Sequence, residues 1–218
     1  FIQFYKRCVA GQYDIAITGS HMGRLANIDH GHGLASLFTP DMRCLVVINS
    51  AKPINNLSEL KGKAISFANS ASIVAITAIR MLSGQGIRLG TEVTLSPVLG
   101  EDSIAGKLLR EDVVAAFMSM GEYRAIPEAQ RAQLTIFSTY QEIPAFVVSK
   151  PADLRNRQNS AALADFELLK KDCAEFNKAP EAKLFQQSSG FSGMQLVRTE
   201  DLARMDIFVE DTRRLMLG

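Results

Sequence analysis

The chain has 218 residues, of which 47% are hydrophobic and 22% charged, and its formal net charge is +1. This composition is typical of a globular protein and excludes a disordered or fibrous one, and no apolar stretch approaches the roughly 20 residues that a membrane-spanning helix needs. Because the charge is near zero and Lys and Arg are not clustered, we expect no nucleic-acid partner, whose phosphates would require a basic surface.

The run FIQFYKRCVAGQYDIAITGS predicts the second half of a helix, a turn at Gly11 and a strand over residues 15–18. Domains rarely begin in the middle of such a unit. We therefore expect a strand and a helix of the same lobe upstream of Phe1.

The rest of the chain alternates between helical and strand periodicity, and its short strands are apolar on both faces, which is typical of buried parallel strands. The predicted strands are 15–18, 45–48, 64–67, 93–97, 113–117, 134–137 and 145–148. The predicted helices are 72–84, 103–110 and 128–133. After Pro151 the patterns are only helical, and Thr199 begins the last of them as an N-cap. The predicted fold class is α/β with a helical C-terminal section.

Two segments have the composition of crossings between lobes. The run NSAKPINNLSEL leaves strand 45–48 through small and polar residues, and TYQEIPAFVVSKP enters a strand through Pro144. Paired crossings predict one lobe inserted into another. Lobe 1 would comprise residues 1–48 and 142–218, and lobe 2 residues 49–141. A cleft between lobes is where ligands are usually held.

A loop of small polar residues follows strand 64–67. Asn69, Ser70, Ala71 and Ser72 stand between this strand and a helix, where backbone N–H groups and hydroxyls favour an anion or another acceptor-rich ligand. The alternative is that Ser70 or Ser72 only caps the helix. No GxGxxG or Walker motif supports a nucleotide site.

Gly19, Ser20 and His21 follow strand 15–18, at the carboxyl end of a sheet where ligands of α/β proteins collect. No acid stands in a recognisable order with Ser20 and His21, so a hydrolase triad is not indicated. We expect no catalytic residues.

Metal and cofactor sites are not predicted either. His30 and His32, beside Asp29, form a His-x-His pair for which a third and fourth ligand are not evident. The three cysteines are widely spaced and odd in number, so they indicate neither a metal-ligand pair nor a disulfide framework.

Glu101 and Ser119 complete the candidate residues. If the loop GEDSIAG faces the cleft, the Glu101 carboxylate would repel an anion and attract an amine or a hydroxyl, although it could also only complement a helix dipole. Ser119 lies between Met118 and Met120 at the end of a strand, where the methionines would pack and the hydroxyl would face the cleft.

In this order, the motifs GQYDIAITG, RCLVVINSAKPINNLSELKGKAISFANSAS, REDVVAAF and FSGMQLVRTEDL resemble the periplasmic solute-binding proteins of phosphonate and phosphite ABC transporters, from about residue 4 to the end. The most specific part is SELKGKAISF, because the family has a DLKGK turn, a strand and a Ser/Thr-rich phosphonate loop. The resemblance implies the two-lobed venus-flytrap fold of type 2 periplasmic binding proteins, hinge closure on a small-molecule ligand and no catalysis. It also implies a periplasmic location, an ABC permease and its ATPase as partners, and a peripheral association with that membrane complex.

Several positions depart from the family pattern. The family's Ser-Thr-Ser cluster is matched by Ser72, Ile73 and Val74, Met42 stands where a Tyr is common, and Glu101 stands where a His commonly opens the helix. Each charge-assisted hydrogen bond that an anion loses weakens binding by roughly 1.5–3 kcal/mol. We therefore expect that the fold is kept and that the ligand is less anionic than a phosphonate.

The predicted ligand-binding residues are Gly19, Ser20, His21, Met42, Asn69, Ser70, Ser72, Ile73, Glu101 and Ser119. Two alternatives keep the fold and change the function. One is the ligand-sensing domain of a receptor such as a histidine kinase. The other is an enzyme of similar two-lobed fold, for which His21 with Glu101 is the only acid–base pair that the sequence offers.

Overall fold

The structure is a computed structural model and describes residues 1–98, 103–151 and 160–217, apart from the side chains of residues 141 and 142. It divides into two compact units. Unit 1 comprises Phe1–Asp41 and Ile143–Gly218, and unit 2 comprises Met42–Glu142.

Helices and strands alternate along most of the chain, which confirms the α/β fold class. In chain order the elements are α1 (Ile2–Val9), β1 (Ala16–Gly19), α2 (Ser20–His30), β2 (Gly33–Thr39), β3 (Met42–Asn49), β4 (Ala64–Phe67), α3 (Ile73–Gly84), β5 (Thr94–Leu95), α4 (Ile104–Leu109), β6 (Ala115–Ser119), α5 (Met120–Ala125), α6 (Glu128–Arg131), β7 (Leu134–Ile143), β8 (Phe146–Lys150), α7 (Ser160–Phe176), α8 (Glu181–Ser189), β9 (Gly193–Leu196), α9 (Thr199–Asp206) and α10 (Val209–Leu217). A short 3₁₀ helix, Leu57–Leu60, precedes β4.

The described strands of unit 1 form a sheet of order β1-β8-β2-β9, and its ladders are antiparallel. The prediction of parallel-type strands is therefore wrong for this unit. The inner strand β2 is apolar on both faces because helices cover both of them. Leu37 packs with Met205 of α9, whereas the neighbouring Phe38 contacts Phe185 of α8, and consecutive residues of a strand face opposite sides.

The sequence predicts that the C-terminal section is purely helical. This prediction is wrong, because the section also contains a strand. The strand β9 pairs with β2, with Gly193 opposite Thr39 and Leu196 opposite Ser36. A strand of this length gives too short a run of residues for its period to be distinguished from that of the helices around it.

The described strands of unit 2 form a sheet of order β5-β4-β6-β3-β7, in which β4 runs parallel to β5 and β6, and β3 runs antiparallel to β6. The helices α3 and α4 pack on β3 and β6. The predicted bounds of lobe 1 include residues 42–48, whereas these residues belong to unit 2. The reason for the difference is the ladder of β3 with β6, which places the first crossing before β3 and not after it.

A buried carboxylate stabilises the C-terminal part of unit 1. Asp201 is 0% exposed, and its Oδ2 accepts hydrogen bonds from the backbone N–H and the Nε of Arg198 at 3.0 and 3.1 Å. The Nη1 of Arg204 lies 3.7 Å from Oδ1. Burial disfavours the charged form of Asp201 and raises its pKa. The hydrogen bonds from Arg198 and the charges of both arginines outweigh this effect of burial, so the pKa of Asp201 lies below its ordinary value of 3.8.

We expect Asp201→Asn to reduce the free energy of unfolding at neutral pH by about 1–3 kcal/mol, because hydrogen bonds to a charged group are lost. The pKa of Asp201 is lower in the folded state, so the carboxylate stabilises the fold above its unfolded-state pKa and ceases to do so as the pH falls through the folded-state pKa. The difference in the free energy of unfolding between the wild-type protein and Asp201→Asn, measured by urea unfolding, should therefore shrink below pH 3.8.

Asp165→Asn is the matched control, because Asp165 is 67% exposed and its ion pair with Lys150 spans 3.9 Å. This variant should change stability by less than about 1 kcal/mol. A deficit of Asp201→Asn that stays constant across the acidic range would contradict the role assigned to the carboxylate.

Candidate functional site

Three separate segments of unit 2 meet at one edge of its sheet. Phe67 lies opposite Phe117 in the parallel ladder of β4 and β6, and Cys44 lies opposite Ser119 in the antiparallel ladder of β3 and β6. The ends of β4 and β6 and the beginning of β3 are therefore on the same side. We call this side the carboxyl edge, and it carries Met42, residues 68–72 and Ser119.

The loop after β4 is held by its own side chains. The Oδ1 of Asn69 accepts a hydrogen bond from the Ala71 N–H at 2.8 Å, and the Oγ of Ser72 accepts one from the Ala75 N–H at 3.1 Å. Ser72 is thus the N-cap of α3, whereas Ser70 is exposed. Capping uses a lone pair of the hydroxyl and leaves its proton available, so Ser72 can cap the helix and still donate to a ligand.

Ile73 and Val74 stand where the sequence resemblance leads one to expect hydroxyls, and both are core residues of α3. Their exposed fractions are 2% and 4%. Their side chains pack inside unit 2, so Ile73 has only its backbone to offer a ligand.

Ser119 forms a capping box with Glu122 at the start of α5. Its Oγ accepts from the Glu122 N–H at 3.2 Å, and the Glu122 Oε2 accepts from the Ser119 N–H at 2.6 Å. Glu122 is not among the residues predicted to bind ligand, although the run SMGE fits the S-x-x-E signature of such a box. Glu122 places a carboxylate next to the carboxyl edge. Glu101, which was predicted to do so, lies outside the described residues.

In unit 1, Gly19 ends β1, and Ser20 and His21 begin α2 instead of a loop. Ser20 is 0% exposed; its hydroxyl donates to the Pro144 carbonyl at 2.5 Å and its N–H to the Ala145 carbonyl at 3.0 Å. A Cβ on Gly19 would lie 2.6 Å from the His21 ring, so glycine allows that ring its position. Ser20 therefore holds the segment that precedes β8.

A cavity of about 850 Å³ lies at the opposite edge of the unit 2 sheet, where β4 and β6 begin and β3 ends. Several of its polar side chains already have partners. Asn49 donates to the Leu108 carbonyl at 3.3 Å and accepts from the Ala51 N–H at 2.9 Å, and Lys52 lies 3.5 Å from Glu111. The cavity does not coincide with any residue that the sequence predicts to bind ligand.

The structure offers no metal centre within its described ranges, where no group of three or more His, Cys, Asp or Glu side chains is placed to hold an ion. The ring centroids of His30 and His32 are 6.5 Å apart, and only His32 is buried. The three cysteines are described and are buried free thiols. Burial raises the pKa of Cys44 to about 12, which keeps this thiol protonated and unreactive at neutral pH. Of the described helices, none has the length and apolarity to cross a bilayer.

A family model described as the periplasmic substrate-binding protein of phosphonate ABC transporters matches residues 2–202. No curated protein matches the sequence. Among solved structures, XAC2383 from Xanthomonas citri bound to ATP is 14% identical with a TM-score of 0.78, and the match covers 98% of this chain and 82% of that one.

Two further solved structures are similar to this chain. PhnD1 from Prochlorococcus marinus in complex with methylphosphonate is 14% identical with a TM-score of 0.75, covering 99% of this chain and 82% of that one. The periplasmic aliphatic sulphonate binding protein SsuA from Escherichia coli is 15% identical with a TM-score of 0.65, covering 100% and 80%. At such identity the similarity shows the fold, which is that of the two-lobed periplasmic binding proteins, as predicted.

Replacing Ser20 by Ala removes a buried donor and leaves the Pro144 carbonyl without that hydrogen bond. We expect the free energy of unfolding to fall by about 1–3 kcal/mol. Ser70→Ala, at an exposed site, should change it by less than about 0.5 kcal/mol. Urea unfolding of both variants measures the difference, and equal stability would refute the anchoring role of Ser20.

Proposed function

The chain belongs to the family of periplasmic substrate-binding proteins of phosphonate ABC transporters, and on this basis we propose that it binds a small polar ligand through residues of both units. Members of this family bind solutes for a membrane permease and are not enzymes. We assign no catalytic residue. We propose an ABC permease and its ATPase as partners, and a peripheral association of the protein with that membrane complex.

One observation carries the proposal. Residues from three distant parts of the sequence, Met42, 69–72 and Ser119, lie along one edge of the unit 2 sheet because of the register of β3, β4 and β6. The carboxyl ends of strands are where ligands of α/β sheets bind. The exposed hydroxyl of Ser70 and the remaining protons of Ser72 and Ser119 are the donors that this edge offers.

We propose that unit 1 contributes Gly19, Ser20 and His21, of which Ser20 acts by holding the residues before β8. The two lobes predicted from the sequence correspond in this proposal to the two units. A ligand that contacts both favours a closed form only to the extent that its affinity for that form is higher.

The ligand that we propose is less anionic than a phosphonate. Ile73 and Val74 bury apolar side chains where hydroxyl donors would be needed to bind a dianion. The Glu122 carboxylate beside Ser119 repels additional negative charge. Fewer hydroxyl donors and the nearby Glu122 carboxylate together favour a ligand with one negative charge or none.

A thermal-shift screen of the full-length protein tests the proposal, because a ligand that binds the folded state stabilises it by about 2.7 kcal/mol at a hundred times its Kd. The panel comprises methylphosphonate, phosphite, carboxylates, sulfonates, amines and pyrimidines. We expect stabilisation by a compound of low negative charge and little by methylphosphonate. Tight binding of methylphosphonate would disprove the altered specificity.

Two asparagines provide matched variants for the location of the site. The Oδ1 of Asn69 accepts from the Ala71 N–H, and the Oδ1 of Asn56 accepts from the Ser58 N–H at 3.0 Å, away from the carboxyl edge. Asn69→Ala should weaken the binding of the stabilising compound at least about fivefold, since a polar contact is worth about 1 kcal/mol or more, and Asn56→Ala should not. Equal affinities of the two variants would place the ligand elsewhere.

A further inference from the structure

Unit 1 contains a group of phenylalanine rings that the proposed function does not use. At its centre is Phe38 of β2, which is 6% exposed. Three other rings meet Phe38 edge to face, with centroids 5.9, 5.2 and 5.4 Å from its own, and belong to Phe146 of β8, Phe185 of α8 and Phe191 before β9. We call these four residues the aromatic cluster.

The cluster lies at the edge of the unit 1 sheet where β1 leads into the predicted ligand-binding residues. The strands β1 and β2 both run antiparallel to β8, so they end at the same edge. Gly19, the last residue of β1, is opposite Phe146. Thr39, the last residue of β2, is opposite Gly193, which follows Phe191 by two residues. Phe146 and Phe191 are therefore at this edge.

The rings at the edge are less completely buried than the side chains on the other face of the sheet. Leu37, Val147 and Met205 pack together on the α9 face and are 2%, 0% and 0% exposed. Phe146 and Phe191 both remain partly exposed, although their ring centroids are only 5.9 Å apart. Unit 1 thus presents apolar surface at the edge that its own packing does not cover.

Hydrogen bonds on both sides of Phe191 fix the position of its ring. The Phe191 N–H donates to the Oγ of Ser189 at 3.1 Å. The carbonyl of Ser192 accepts from the Nε2 of Gln186 at 2.7 Å, and the Ser192 N–H donates to the Thr39 carbonyl at 2.6 Å. A ring held in place in this way loses little conformational freedom when a ligand binds to it.

The chemistry of the cluster selects an apolar partner. A phenyl ring has no N–H or O–H donor for an oxyanion, but it packs well against alkyl groups and against other rings. Neighbouring hydroxyls have partners within unit 1, because Ser20 donates to the Pro144 carbonyl at 2.5 Å and the Oγ1 of Thr39 is 3.3 Å from the Oγ of Ser192. The surface at the cluster is therefore suited to a hydrocarbon group.

We propose that Phe146 and Phe191 form an apolar subsite, which binds an alkyl or aryl substituent of the ligand. This inference rests on the proposed function and deepens it, because the donors of unit 2 would bind the polar group of the same ligand. Removal of the substituent from water stabilises the complex. The ligand is then an organic compound of low charge with a hydrocarbon group, and not an inorganic oxyanion such as phosphite.

Calorimetric titration of the full-length protein with three series of compounds tests the subsite. The series are acetate, butanoate and benzoate; methanesulfonate, butanesulfonate and benzenesulfonate; and methylamine, butylamine and benzylamine. Each keeps its polar group and enlarges the hydrocarbon group. In a series whose polar group is accepted, we expect the affinity to rise about fourfold for each methylene that is buried.

Phe146→Leu and Phe191→Leu keep an apolar side chain and remove the ring. We expect each to weaken binding of the aryl compound about threefold or more, and to change the affinity for the methyl compound less than twofold. Phe166→Leu is the matched control, because this partly buried ring lies on α7, where it faces the ammonium of Lys170 at 5.9 Å. The control should retain the affinities of the wild-type protein for both compounds.

The outcomes distinguish the subsite from the proposed function. If the wild-type protein binds all members of a series equally, the subsite is disproved and the proposed function stands. The same holds if Phe146→Leu and Phe191→Leu, checked to be folded, keep the full preference for the larger members, or lose affinity for all members alike. If no compound of any series or of the thermal-shift panel binds the wild-type protein, both proposals are overturned.

Discussion

The antiparallel pairing of β3 with β6, next to the parallel β4, is the constraint on which unit 2 depends. Its register places Leu45 and Val47 with Ala116 and Met118 in one hydrophobic cluster. The same register brings the start of β3 to the ends of β4 and β6. Because a slip of one residue would turn every side chain of β3 to the other face, core packing and the arrangement of the carboxyl edge are specified together.

Side chains and backbone of unit 1 hold the chain where it leaves this unit, after Asp41, and where it returns, at Ile143. Ser192 donates its N–H to the Thr39 carbonyl at 2.6 Å, and Arg204 forms an ion pair with Asp41 just before β3. On the return, Ser20 binds the carbonyls of Pro144 and Ala145. A residue proposed for ligand binding thus also determines where the chain re-enters unit 1, which links the local structure of α2 to the position of β8.

Much of this organisation can be predicted from the sequence, and the exceptions have physical reasons. Strand β4 has the predicted bounds because its apolar run stands between a Lys-Gly-Lys turn and a polar loop. The helix over Ser20–His30 and the strand β9 were missed, since the first has mixed periodicity and the second is too short. Of the candidate site, Ser72 and Ser119 can be read as caps from local sequence. The position of Met42 beside them cannot be read in this way, because it depends on the antiparallel register of β3 with β6.

Amide hydrogen exchange is the most direct test of the carboxyl edge as the ligand site. The full-length protein would be compared with and without the compound that most raises its melting temperature. The proposed site predicts that protection in unit 2 is concentrated at residues 68–73 and 119–122, where backbone N–H groups lie along the edge. Protection confined to residues 51–54, 62–64 and 111–114, which line the cavity at the opposite edge, would contradict it.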